Sequence, residues 1–311
     1  MYSSDQLREL LSTVPAPSLV GIGDNVLDCY LHEDLAYPGG NALNVAAYSR
    51  LFFGGDAGFI GIMGDDRFAD HLRGVLDEIG VDRQRARTAH GWNGMAFVAL
   101  DDDGDRRFVG SNRGGVQHEL RLRITEQDHD YIARFTRMHT SVYSAIDREL
   151  AGIAERGTRI SYDYSDDARR DDVAASAPHV EVGFFSGGSL SEGERDDLAD
   201  FALASGMGIV VITRGAQGAM AYERGRRTAV GVKPVTAVDA LGAGDAFITG
   251  FLAATAAGAE LDACLDIAAT TGALACTLRG AFGYPVGAGE DARVQLVKRH
   301  PVGRREARSA S

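Results

Sequence analysis

The residues best suited to chemistry fall in one short stretch, Thr236-Ala237-Val238-Asp239-Ala240-Leu241-Gly242-Ala243-Gly244-Asp245-Ala246-Phe247. An apolar run leads into a glycine-rich turn, an acid and an amphipathic pattern. Phe247, Phe251 and Leu252 recur at helical spacing, which predicts a helix from near Gly244 towards Ala257. The first N–H groups of such a helix have no partner within it and sit at its positive end. Gly242 and Gly244 let the backbone turn sharply and keep side chains clear of a ligand. The result is an anion site suited to a phosphate group, with the Asp245 carboxylate in the same turn. Phosphoryl transfer to a hydroxyl needs a base beside a phosphate cradle. A bare GxGD also occurs as a simple helix cap with a first-turn acid, so the surroundings decide.

Further candidates lie where strands leave a sheet. Leu19-Val20-Gly21-Ile22-Gly23 is a buried-type strand followed by Asp24, Asn25 and Asp28, and open α/β sheets bind ligands at the carboxyl ends of their strands. Gly21-x-Gly23 fails as a dinucleotide fingerprint, because Val26 occupies the third glycine's place and no helical pattern follows. Tyr37-Pro38-Gly39-Gly40 feeds a helix carrying Asn41 and Asn44 one turn apart, and paired amides suit hydroxyl recognition. Helix capping alone accounts for Asn41 but not for Asn44 in a helix interior. Asp163 ends a strand, where a capping role and a site role are equally open. Thr213-Arg214-Gly215-Ala216-Gln217-Gly218 follows the strand Gly208–Ile212 and reads equally as a tight turn.

The elements that position these residues alternate. Helix 125–137, strand 140–145, helix 147–156 and strand 159–164 lead to strand 180–185, helix 191–205 and strand 208–213. This pattern predicts a doubly wound, mostly parallel sheet with helices on both faces. Gly94–Leu100 and Arg106–Gly110 form a hairpin around Asp103-Gly104, whose neighbouring acids read as a solvated tip rather than a metal site. Asn112 and Arg113 are expected to point towards a cleft. Leu261–Leu278 reads as an apolar helix on which Ala268, Thr271 and Gly272 leave room for an adenine ring. Asp66 is expected to cap a helix over Phe68–Ile79.

With 32 Lys and Arg against 44 Asp and Glu, the net charge of −12 disfavours nucleic acid and anionic membrane as partners. Hydrophobic residues make up 45% of the 311, enough for a substantial core. Cys29, Cys264 and Cys276 match neither a zinc spacing nor a disulfide framework. The opening residues lack the apolar core of a signal peptide, and no apolar run reaches membrane-spanning length, so a cytoplasmic location is expected. No GxxxxGK[ST] motif is present, which excludes a P-loop enzyme.

Asp239-x-x-Gly242-Ala243-Gly244-Asp245 resembles the C-terminal signature of the ribokinase-like (PfkB) carbohydrate kinases, with Ala240 in place of the usual Thr. Pro38-Gly39-Gly40-Asn41-Ala42-Leu43-Asn44 resembles their N-terminal GGxxxN signature, and Gly61, Gly64 and Asp66 keep their GxxGxD pattern. The resemblance covers roughly residues 19–285. It implies a three-layer ribokinase-like α/β fold over 1–291, with a small β-sheet lid from about 29–38 and 92–113. Residues 292–311 are expected to form a disordered tail. The resemblance further implies Asp245 as base, with Gly242, Ala243 and Gly244 around the transferring phosphoryl group. Asp24, Asp28, Gly40, Asn41 and Asn44 fall on the sugar side. Thr213, Gly215, Gly218, Gly242 and Gly244 fall on the nucleotide side. ATP and Mg2+ are the implied cofactors, a monovalent cation is a further candidate, and the lid strands are a candidate homodimer contact. The family's Asn-x-x-Glu is missing; Ser186-Gly187-Gly188-Ser189-Leu190-Ser191-Glu192 stands there, with Glu192 and Glu194 as substitutes, and the metal ligands stay open. The runs Gly23–Asp28, Pro38–Ala46 and Tyr162–Asp166 look closest to the fructoselysine 6-kinase branch, which implies transfer to the 6-hydroxyl of a fructosamine. Another sugar or nucleoside, or a non-catalytic binding protein on the same scaffold, are the alternatives.

Overall fold

The computed structural model describes residues 1–100, 106–166 and 168–298. Eight strands form the large sheet in the order Arg226–Val230, Ala219–Glu223, Ile209–Thr213, Val182–Ser186, Arg159–Asp163, Arg137–Ser141, Ser18–Ile22 and Asp56–Ile60. Pairing is parallel from Ile209–Thr213 to Asp56–Ile60, and antiparallel only at the other end. Strand residues alternate between two cores, as a period of two requires. Leu19, Val182, Phe184 and Val211 meet Val45, Phe247, Phe251 and Leu252 on one face. Val20, Ile22, Met138, Ile160 and Ile212 meet Leu150, Ile153, Val173 and Ala199 on the other. Each fully buried Phe or Leu contributes about 1.5–3 kcal/mol, so the helices Asn41–Phe53 and Ala243–Ala256 are held firmly to the sheet.

A second, six-stranded sheet lies apart, in the order Val286–Gly287, Leu35–Gly39, Val26–Tyr30, Gly94–Leu100, Arg106–Ser111 and Val297–Lys298. Its Leu27, Cys29, Met95 and Phe97 pack with Ala42, Ala46 and Phe282. This is a ribokinase-like fold: a mostly parallel large sheet between helices, with a separate small sheet.

Several expected boundaries move. The helix over 125–137 is only Glu126–Ile132, and Arg137 already begins the strand expected at 140–145, which runs Arg137–Ser141. The last long helix stops at Ala275. The expected tail does not begin at 292, because the helix Gly289–Arg293 spans that point and Val297–Lys298 pairs with Ser111 and Gly110. The Asp103-Gly104 turn lies outside the described residues. Asp66 caps Arg67–Ile79 by accepting from the N–H groups of Phe68 and Ala69.

Candidate active site

The polar residues converge at the carboxyl ends of the parallel strands. Asp24 follows Ser18–Ile22 and binds the start of the Asn41–Phe53 helix. Its carboxylate accepts from the N–H groups of Asn41 at 2.7 Å and Ala42 at 3.3 Å, and from the hydroxyls of Ser141 at 3.1 Å and Ser144 at 2.9 Å. Asp24 thus serves as the anion at that helix N-terminus. Gly40 is the helix's N-cap residue, at φ 104°, and a Cβ there would lie 2.8 Å from Asn25 Cα and Asp24 O. Only glycine accommodates both demands.

Asn41 leaves capping to Asp24 and turns its side chain into the site. Its Nδ2 donates to Asp163 Oδ2 at 2.9 Å and to Asp245 Oδ1 at 2.8 Å, while Asn44 Nδ2 donates to Asp245 Oδ2 at 2.6 Å. Both carboxylate oxygens of Asp245 are therefore oriented by amides one helical turn apart. Asn44 Oδ1 is buried without a partner. The buried Asp28 points across from the small sheet, and no hydrogen bond from a described residue reaches its carboxylate.

Electrostatics follow from this crowding. Burial, opposed by the Asn44 amide and aided by the charges of Asp163 and Asp24, pushes the Asp245 carboxyl up to about 8. Burial pushes Asp28 up to about 7, with Asp24 adding to it, and Asp163 up to about 6. Asp245 and Asp163 nonetheless keep an edge open to the cleft.

The glycine-rich turn divides its roles. Gly242 is the N-cap residue of Ala243–Ala256 at φ 74°, and a Cβ there would lie 2.5 Å from Tyr48 Oη. The Ala243 N–H turns back to Ala240 O at 3.2 Å, so it is engaged rather than offered to a ligand. Among the described residues no backbone carbonyl takes the N–H of Gly244 or Asp245, and a Cβ on Gly244 would meet nothing within 4 Å. That open, amide-lined space fits a phosphate group. Asp239 is the brace behind it: its Oδ1 accepts from Leu241 N at 3.0 Å, and its Oδ2 accepts from Gly280 N at 2.9 Å and from the Tyr30 hydroxyl of the small sheet at 2.8 Å.

Thr213 ends its strand two positions along the sheet from Asp163's strand, about 10 Å away at the usual strand spacing. Gly215 faces open space, whereas a Cβ on Gly218 would fall on Val230 O. Other expectations are not met. Asn112 does not point into the cleft: it binds Met95 N and Asn93 O at the base of the hairpin, and Arg113 is exposed. Ala268, Thr271 and Gly272 pack against Gly250, Phe247 and Ala243 instead of facing a ring-shaped ligand. Glu194 closes a capping box with Ser191, and Glu192 pairs with Arg227. Among the described residues no group of three or more His, Cys, Asp or Glu is spaced to hold a metal ion. Magnesium keeps most of its waters and takes phosphate oxygens, so one or two carboxylates suffice.

His139 is the site residue that the sequence did not signal. It is fully buried beside Asn41, in the strand Arg137–Ser141. The sequence pattern places the strand three residues later, at 140–145, and so assigns His139 to no element.

Fold and site together define a phosphotransferase that acts on a hydroxyl. The chain belongs to the pfkB family of carbohydrate kinases, whose model matches residues 24–283. It is 42% identical over 266 residues to the fructosamine kinase FrlD of Bacillus subtilis, covering 86% of this chain and 93% of the relative. It is 32% identical over 244 residues to the fructoselysine 6-kinase of Shigella flexneri, covering 78% of this chain and 91% of that one. An Arabidopsis thaliana ribokinase complexed with ribose and ATP superposes with a TM-score of 0.73 at 18% identity, covering 85% of this chain and 94% of that one. A structure described as a ribokinase II from E. coli with ATP and Mg2+ gives 0.70 at 24% identity, covering 85% and 94%. No helix among the described residues is long and apolar enough to cross a membrane.

Proposed function

We propose that this kinase transfers the γ-phosphoryl group of ATP to the 6-hydroxyl of a fructosamine, with fructoselysine the leading substrate. The carrying observation is an acidic cleft without a counter-cation. Asp24, Asp28, Asp163 and Asp245 act on one another's charge, and no lysine or arginine among the described residues pairs with any of them. Burial keeps part of this cluster protonated, and a cation in the cleft favours its ionised form; the protonated amine of a fructosamine supplies one, whereas a neutral sugar does not. The identities to a fructosamine kinase and a fructoselysine 6-kinase support the same choice.

Asp245 takes the proton as the O6–H bond breaks. O6 bonds to the γ-phosphorus while the bond to the bridging oxygen breaks and ADP leaves. The N–H groups of Gly244 and Asp245 stabilise charge on the transferring group. Asn41 and Asn44 hold Asp245, and Asp28 accepts from a sugar hydroxyl. Thr213, Gly215 and Gly218 lie on the nucleotide side. Magnesium bound with ATP neutralises phosphate charge.

The test is kcat/KM for fructoselysine, fructose, ribose and a nucleoside at fixed ATP and magnesium. Fructoselysine is expected to lead by at least about tenfold, the scale of one pairing worth about 1.4 kcal/mol. A tenfold lead for any of the other three refutes the substrate assignment, and sugar binding without phosphorylation of any of them refutes the reaction.

A further inference from the structure

His139 is fully buried, at the end of a hydrogen-bonded chain leading through Asn41 to Asp245. Its Nε2 is 2.8 Å from Asn41 Oδ1, and its Nδ1 is 2.8 Å from Ser161 Oγ. The Phe184 ring packs edge-on against the imidazole, with centroids 6.4 Å apart. We propose that His139 is a positioning residue for phosphoryl transfer, whose Nε2–H fixes the orientation of the Asn41 amide and through it the Asp245 carboxylate.

Asn41 Nδ2 faces two carboxylate oxygens, one from Asp163 and one from Asp245, and gives each a hydrogen. Its Oδ1 therefore faces the imidazole, and only an N–H satisfies it there. Burial pushes His139 down to about 3, so the ring is neutral and carries one N–H. That N–H sits on Nε2, and the Ser161 hydroxyl, whose Oγ also lies 3.1 Å from Met138 O, turns its hydrogen to the nearer Nδ1. Were the Asn41 amide turned over, its oxygen would face both acids and two donors would confront each other at Nε2. A ring lacking the Nε2–H removes the feature that selects one amide orientation. Asp245 then keeps the Asn44 contact but loses the second donor that sets which lone pair meets the hydroxyl.

The consequence for rate rests on Asp245 being the base; the hydrogen-bond chain does not. ¹⁵N-histidine NMR of the full chain, with the His139 signal identified by its loss in His139→Gln, is expected to show a neutral Nε2–H tautomer from pH 5 to 9. An Nδ1–H tautomer, or titration in that range, overturns the proposal. In steady-state assays with fructoselysine, His139→Leu is expected to lower kcat about 10- to 100-fold, with KM for ATP unchanged. His139→Gln, whose amide N–H replaces Nε2–H, should restore most of the rate. On an Asn41→Ala background, His139→Leu should add no further loss. Equal loss in the Leu and Gln variants, or full additivity with Asn41→Ala, overturns the proposal.

The acid limb of kcat/KM should also move to higher pH in His139→Leu, because Asp245 loses a hydrogen bond that favours its charged form. The titratable groups facing Asp245 are Asp24 after the first strand, Asp163 on the Arg159–Asp163 strand and, from the Asn41–Phe53 helix, Tyr48; His139 reaches it only through Asn41. A merely structural defect lowers the active fraction without moving that limb. If His139→Leu does not fold, the tautomer and the Gln variant with and without Asn41→Ala still decide. Full activity in Asp245→Asn would refute the base while leaving the tautomer result intact.

Discussion

Asp245→Asn is expected to move activity and stability in opposite directions, and the pH dependence separates the two. Burial raises the Asp245 carboxyl from 3.8 to about 8. About four units at about 1.36 kcal/mol each set a ceiling near 5–6 kcal/mol against the ionised form. Because the folded value lies above the unfolded one, this stability is fully present below pH 3.8 and lost as pH rises through about 8. The catalytic form is the ionised one, so kcat/KM rises over the upper part of that window, about tenfold between pH 7 and 9. Asparagine abolishes the titration. It also loses one of the contacts from Asn41 or Asn44, because an amide has a single acceptor, but that loss is the same at every pH. Urea unfolding of both proteins at pH 5 and pH 8.5 isolates the difference. The variant should gain on the wild type between the two conditions, by at most about 4 kcal/mol, because part of the ceiling is already lost between pH 3.8 and pH 5, while kcat falls about 10²–10⁴-fold. A stability gap constant to within about 0.5 kcal/mol refutes the buried-carboxylate argument, and near-wild-type kcat removes Asp245 from the mechanism.

Gly244→Val should weaken ATP binding in calorimetry with little change in melting temperature, since its Cβ points into open space; unchanged affinity would put the phosphates elsewhere. Gly242→Ala should instead destabilise the fold by about 1–3 kcal/mol, because it forces an L-residue to φ 74° against Tyr48; an unaltered melting curve refutes that. Asn44→Ala should lower kcat and raise KM for the sugar more than for ATP, because its Nδ2 holds Asp245 Oδ2; an effect confined to KM for ATP would misplace it. Tyr30→Phe should cost about 1–2 kcal/mol in urea unfolding by removing a buried donor to Asp239, and a neutral result would make that link dispensable.

The large sheet was legible because alternating apolar strands and amphipathic helices fix both faces at once. The Leu19/Val20 alternation alone assigns two cores. The signature turn was legible as a phosphate cradle, yet its glycines looked equivalent in the sequence. Only the structure separates Gly242, forced by its backbone and Tyr48, from Gly244, which faces open space. Small residues on the last long helix read as space for a ligand because one-dimensional spacing cannot say which neighbour fills it. The neighbour is the Ala243–Ala256 helix. His139 was missed for a related reason: a lone histidine in a polar run carries no periodicity, and its partners Asn41 and Ser161 are distant in sequence. Two-residue strands such as Val297–Lys298 carry no pattern and follow from pairing alone.

The order of synthesis bears on the small sheet. Its four inner strands lie between residues 26 and 111, and both outer ones, Val286–Gly287 and Val297–Lys298, come much later. At about 5–20 residues per second, roughly ten to forty seconds separate the two groups on the ribosome. Throughout that interval the edges of Leu35–Gly39 and Arg106–Ser111 offer unpaired backbone groups, a template on which another nascent chain can add a strand. The liability to edge-to-edge association is therefore greatest before the two outer strands are made. A chain ended at residue 285 should accumulate in the insoluble fraction, and slower elongation should worsen the yield of the full-length chain unless a holdase covers those edges.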